Sequence, residues 1–151
     1  MSWWSRLLGG QSRDQRSSRR VDYLSEAIAL ERQGDFDAAL TSYRLALRDH
    51  PNDPKILQNI AIAYSRTGRL EEAIRAYRRA LDVAPELAGA HYGLAFLLLK
   101  RGDRASAMSH LTSFLTHPPA NAEMERWVRH AEQTLAALQS GSTDVPAEPQ
   151  T

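Results

Sequence analysis

GRLEEAIRAYRRALDVAP, residues 68–85, is the stretch on which the fold turns. From Leu70 onward its apolar and small residues, Leu70, Ala73, Ile74, Tyr77 and Leu81, return every three or four positions, the spacing of one face of an α-helix. Gly68 stands just before this run and Pro85 just after it. Both marks recur with one period: Gly34, Gly68 and Gly102 are 34 residues apart, and so are Pro51, Pro85 and Pro119. Ala39, Ala73 and Ala107 keep the same step, as do Leu47, Leu81 and Leu115, and Ala27, Ala61 and Ala95. Ala46 and Ala80 are answered by Phe114. Independent ladders that share one period define an internal repeat.

Each period reads as two helices, expected at about 20–33 and 36–49, 54–67 and 70–83, and 88–101 and 104–117. In the second unit Leu57, Ile60, Ala61 and Tyr64 give the first helix its own apolar face. The glycine can adopt the left-handed conformation that stops the first helix, and the proline, lacking an N–H, marks the chain leaving the second. The alanine ladders let neighbouring helices approach closely.

Residues 68–81, ending at Pro85, follow the tetratricopeptide repeat pattern almost throughout, and residues 20–121 as a whole resemble that family. The resemblance implies an all-α fold, a right-handed superhelix of three helix-turn-helix repeats at 20–53, 54–87 and 88–121. The departures are Phe114 where a small alanine is usual, Leu111 in place of the aromatic at Tyr43 and Tyr77, and Ala27 where glycine is commoner. A stack of repeats leaves its last apolar face open, so a cap is required. The sequence supplies one at 122–139: Asn121 can cap its start, Glu123 and Glu125 suit the dipole of its first turn, and Met124, Trp127, Val128, Ala131, Leu135 and Leu138 share one face. Residues 140–151, rich in Gly, Ser and Pro without apolar periodicity, are expected to be a disordered tail.

In the family the first helix of each repeat lines the concave side, where partners dock, and the resemblance carries that role to particular positions. These are Leu24, Ile28 and Arg32, with Ser25 and Glu31 beside them, in the first repeat. Lys55, Gln58, Asn59, Ile62 and Arg66 follow in the second, and Tyr92, Phe96, Leu99 and Lys100 in the third. Ile28, Ile62 and Phe96 share one offset; they form either an apolar ladder open to a guest or a face covered by the adjacent helix and cap. Arg32, Lys55, Arg66 and Lys100 outnumber Glu31, so the expected partner is a protein segment, apolar with some acidic character, either helical or extended. The family's clamp for chaperone carboxylate termini is not expected: Asn59 matches its middle position, but Leu24, Ile28, Gly89 and Gly93 replace the other donors.

The first 19 residues form a separate basic arm. Over residues 1–20, Arg6, Arg13, Arg16, Arg19 and Arg20 against Asp14 give +4, while the whole chain is only +1, so the remainder carries −3. Trp3 with Leu7 and Trp4 with Leu8 would share one helical turn, and a flexible linker is expected between Gln11 and Arg20. Such a tip can plug a pocket on a protein partner, sit on an anionic membrane surface, or pack on the chain's own first repeat or groove. The alternative function is thus a peripheral membrane-associated scaffold anchored by Trp3, Trp4, Arg6, Leu7 and Leu8.

The 151 residues, 42% hydrophobic and 25% charged, suit one globular unit. Without cysteine there is no disulfide, thiolate nucleophile or thiolate metal site, and the start is too short in apolar residues for a secretory or spanning segment. The reading is cytoplasmic, with the inner membrane surface as the arm's alternative, and the 17 Arg against 2 Lys suggest a bacterial source. Five scattered histidines have no metal-ligand spacing, and no nucleophile motif, phosphate loop or dinucleotide fingerprint occurs. No catalysis, cofactor, metal or small-molecule substrate is expected. Nucleic acid is not expected either, since acidic residues interleave with Arg44, Arg48, Arg75, Arg78 and Arg79 on the second helices.

Overall fold

The computed structural model describes residues 13–149. Among them are seven α-helices: α1 Arg13–Arg32, α2 Phe36–Asp49, α3 Pro54–Arg66, α4 Leu70–Val83, α5 Ala88–Arg101, α6 Arg104–Thr116 and α7 Glu125–Gln139, the last entered through a 3-10 turn, Ala122–Met124. No strand occurs among the described residues. No described helix is long and apolar enough to cross a membrane. Each helix packs on the next, and α3 also touches α5, so the first helices of the second and third hairpins lie side by side on one face.

The 34-residue punctuation is a set of hydrogen bonds. Gly34, Gly68 and Gly102 have φ of 81°, 76° and 90°, a conformation that a side chain would strain. Their N–H groups donate to Glu31, Ser65 and Leu99 carbonyls at 2.9, 3.2 and 3.0 Å. The following N–H groups, of Asp35, Arg69 and Asp103, reach back to Leu30, Tyr64 and Leu98, each at 2.9 Å. That pair of bonds satisfies carbonyls the helix end would otherwise orphan, and it turns the chain into the next helix within three residues. Asp35 and Asp103 then cap α2 and α6 by accepting from the N–H of Ala38 and Ser106, both at 3.1 Å. Arg69 occupies the same place before α4 and gives no side-chain cap. Before α3, Asp53 accepts from Lys55 at 2.9 Å and Ile56 at 3.2 Å, with Pro54 where its missing N–H costs nothing.

The core runs along the stack as three clusters. The first, with Ala27, Leu40, Tyr43 and Ile56, joins α1 to α3; the second, with Leu57, Ile74, Leu94 and Leu98, joins α3 to α6. The third seats α7, as Phe96, Leu111 and Phe114 meet Ala131 and Leu138. Phe114 stands where Ala46 and Ala80 make room for a following hairpin. Here it is buried, with its ring centroid 5.3 Å from that of Tyr92, because a cap and not a fourth hairpin comes next.

Two expectations differ from what the structure shows. α1 begins at Arg13 rather than near residue 20, so most of the expected linker is helical. No Gly or Pro occurs between Gly10 and Gly34, and Arg and Gln favour helix, so nothing local stops it. The tail expected to be disordered is held against the cap over its described part. Gly141 (φ 75°) reverses the chain, Arg104 donates to the Ser142 carbonyl at 2.8 Å, and Val145 packs on the third cluster.

Candidate functional site

α3 and α5 run side by side, and the 3-10 turn and α7 close their far end, leaving an open cavity of about 570 Å³. α3 contributes Gln58, Ile62, Ser65 and Arg66; α5 contributes Gly89, Tyr92, Gly93, Phe96, Leu97 and Lys100. Phe114 and Pro119 from the end of the third hairpin, with Met124 and Trp127 from the cap, complete the apolar wall. Trp127 serves two ends at once: it packs half-buried on the third cluster, 5.4 Å from Tyr92 edge to face, while lining the cavity. Its other side carries Arg126, 5.1 Å from the indole ring.

Tyr77 comes from α4, a second helix, yet reaches the concave side. It does so at Gly93, where a Cβ would overlap the tyrosine hydroxyl and ring. One repeat earlier the same contact is made by Tyr43 with Asn59, and the Tyr43 hydroxyl donates to Glu31 at 2.5 Å. Burial first, and then the Glu148 carboxylate, push the Tyr77 and Tyr92 hydroxyls well above the usual phenol range, so both remain neutral donors. Glu148 is itself part of the cavity wall, together with the two cations Arg66 and Lys100.

Of the residues expected to contact a partner, Gln58, Ile62, Arg66, Tyr92, Phe96 and Lys100 are brought together here. Phe96 is only 8% exposed, stacked on His130 at 4.8 Å, so the cap already covers most of it. Leu24 and Ile28 pack half-buried on the first cluster, Leu99 on the second and third, and Asn59 is engaged with Tyr43. Arg32 and Lys55 are exposed and outside this lining. Trp3, Trp4, Arg6, Leu7 and Leu8 lie outside the described residues. Tyr77 and Glu148 line the site without standing at the family's inward offsets. Glycine at 93 in mid-helix was the available sign of a close approach; for Glu148 there was none.

The histidines pair in ways their spacing hid. His130, buried on α7, accepts at Nδ1 from the Tyr92 hydroxyl (2.8 Å) and donates from Nε2 to the Pro146 carbonyl (3.0 Å), a tautomer fixed because a carbonyl can only accept. His91 donates from Nε2 to the Pro85 carbonyl at 2.6 Å, which leaves its Nδ1 to accept from His110, 3.0 Å away. Among the described residues no group of three His, Cys, Asp or Glu side chains could hold a metal ion.

The tetratricopeptide repeat pattern matches residues 23–86 and again 68–124. The peroxisomal targeting signal receptor of Saccharomyces cerevisiae is 33% identical over 92 residues, 61% of this chain. The chain spans only 15% of that receptor's length. The Yersinia enterocolitica type III secretion chaperone SycD, in complex with a peptide of the translocator YopD, shares the fold with a TM-score of 0.75 at 17% identity, over 86% of this chain and 96% of SycD. The first TPR domain of Spaghetti (RPAP3), bound to the HSP90 peptide SRMEEVD, gives 0.67 at 21% identity, over 80% and 95%. Two overlapping matches that run unbroken from residue 23 to 124, on hairpins punctuated every 34 residues, place this chain in the tetratricopeptide repeat family.

Proposed function

We propose that this protein is a non-catalytic adaptor that holds a segment of a protein partner in the cavity between α3, α5 and the cap. One observation carries the reading: the concave side keeps an open, largely apolar cavity of about 570 Å³ whose groove helices bring two cations, Arg66 and Lys100, and no anion. A guest with apolar side chains and a carboxylate matches that lining. Two structures of this fold hold a peptide, of YopD in SycD and of HSP90 in RPAP3, the latter acidic. The non-catalytic part rests on the sequence, which offers no nucleophile beside a base. Ile62 and Tyr92 are half-exposed, and covering such groups gains at most about 1.5–3 kcal/mol each before the cost of association, so micromolar affinity is the natural scale.

Phage-displayed random dodecapeptides provide a defined probe. The chain should enrich sequences combining apolar residues with a carboxylate, and Ile62→Glu should lose that enrichment while keeping its helical circular-dichroism signal. Ile62 is the right position because it is half-exposed at the lining, whereas a charge at Phe96 would sit inside the third cluster. Equal enrichment by both proteins, or none by the unaltered chain, overturns the proposal.

A further inference from the structure

The groove's closed end already has a tenant. α7 stops at Gln139, and Gly141 and Ser142 donate back to Leu138 (3.2 Å) and Ala137 (3.0 Å), so the chain reverses and runs over the cap without further helix. It is gripped twice through its main chain: Arg104 donates to the Ser142 carbonyl at 2.8 Å and His130 to the Pro146 carbonyl at 3.0 Å. Val145 packs on the cluster formed by Phe96, Phe114 and Leu138. Pro146 and Pro149 keep the segment extended, because neither has an N–H for a helix and each biases its predecessor away from helix. Glu148 then arrives in the same cavity wall as Arg66 and Lys100.

We infer that residues 142–149 are an internal ligand of this groove, and that a partner is an extended segment of the same chemistry, an apolar residue beside a proline with a carboxylate two residues on, which binds by displacing them. This rests on the adaptor reading of the groove. Three features argue for exchange and against a permanent seal. Glu148 remains exposed, the cavity stays open with the segment in place, and the His130 and Arg104 bonds read carbonyl groups that any extended chain can offer. The links to the partner site are direct, since the Tyr92 hydroxyl that lines the cavity donates to the same His130 that holds Pro146. Glu148 also acts on the Tyr77 and Tyr92 hydroxyls, which line the same cavity.

A short tether gives an attached ligand an effective concentration on the order of millimolar, so a free copy of modest affinity must compete against it. The test uses the full chain and a fluorescein-labelled synthetic peptide of residues 142–149, read by anisotropy. Val145→Asp with Glu148→Lys should bind the peptide at least about tenfold more tightly than the unaltered chain. Glu148→Lys alone, at an exposed position that leaves the third cluster intact, should show a smaller gain of the same sign. Adding Arg66→Glu and Lys100→Glu to either variant should abolish binding. In the unaltered chain, saturating peptide should speed amide hydrogen exchange at Ser142 and Asp144, whose N–H groups donate to the Ala137 carbonyl and the Ser142 hydroxyl.

Equal affinity for the unaltered chain and both tail variants overturns the inference, as does binding indifferent to Arg66 and Lys100. If the peptide binds none of these proteins while Ile62-dependent dodecapeptides are still enriched, this inference falls and the adaptor reading stands. If enrichment is missing as well, both fall.

Discussion

At the scale of single residues, the contact between Tyr77 and Gly93 does most to shape the concave face. An alanine at 93 would gain about 1 kcal/mol of helix propensity over glycine. Its Cβ would nevertheless overlap the hydroxyl and ring of Tyr77, which is only 5% exposed. Overpacking of this kind costs about 1–3 kcal/mol, and the clash should outweigh the propensity. Gly93→Ala is therefore expected to lower the thermal midpoint by a few degrees. Tyr77→Leu in the same chain should restore most of it, because Leu111 fills the equivalent position of the third hairpin without a ring. Calorimetry of the single and double variants checks both. This contact also marks a limit of reading by offset. Gln58, Ile62, Arg66 and Phe96 could be placed because each sits at a fixed step from its glycine, while Tyr77 reaches the groove from the wrong helix through a gap that only packing reveals.

Among the elements, α7 is the one whose fit is imperfect. Thr134 is fully buried there, and its hydroxyl has no hydrogen-bond partner among the described residues. A desolvated, unpaired hydroxyl costs about 1–3 kcal/mol, and valine keeps the shape without the polar atom. Thr134→Val should thus raise the urea midpoint, by about 1 kcal/mol in unfolding free energy, with the slope unchanged. A lower midpoint would show that the hydroxyl is satisfied. Helix boundaries were legible because their causes are local: a left-handed glycine, an aspartate cap and a proline lie within a few residues of each end. The start of α1 was not, since the glycine rule says where a helix must stop and nothing between Gly10 and Gly34 says where this one begins. The path of residues 142–149 was hidden for another reason. Their anchors are the Ser142 and Pro146 carbonyls, and a carbonyl has no signature in a sequence.

For the molecule as a whole, acid is the condition to which this packing responds. Burial, then the neighbouring His91 and Arg78, hold His110 below the ordinary histidine value, with Asp103 opposing. Folded, His110 therefore binds fewer protons than it does unfolded. Stability rises with pH wherever the unfolded chain holds more protons, so this contribution is complete above about pH 6.5 and is lost as the pH falls below it. The thermal midpoint should drop between pH 7.5 and 5.5, and His110→Gln should flatten that dependence. A parallel slope in the variant would assign the effect elsewhere. Asp103, held below the usual carboxylate range first by the Ser106 N–H it caps, loses its contribution only in stronger acid.

Phe114 sets a rule for anyone wishing to lengthen this array. Ala46 and Ala80 leave the hollow into which a succeeding hairpin settles, whereas the phenyl ring has consumed that hollow at the last edge and packs there against Tyr92 and the cap. Duplicating the middle unit should extend the scaffold, but grafting one after Pro119 requires shrinking residue 114 first. Growth is thus permitted from within and blocked at the terminus by a single side chain.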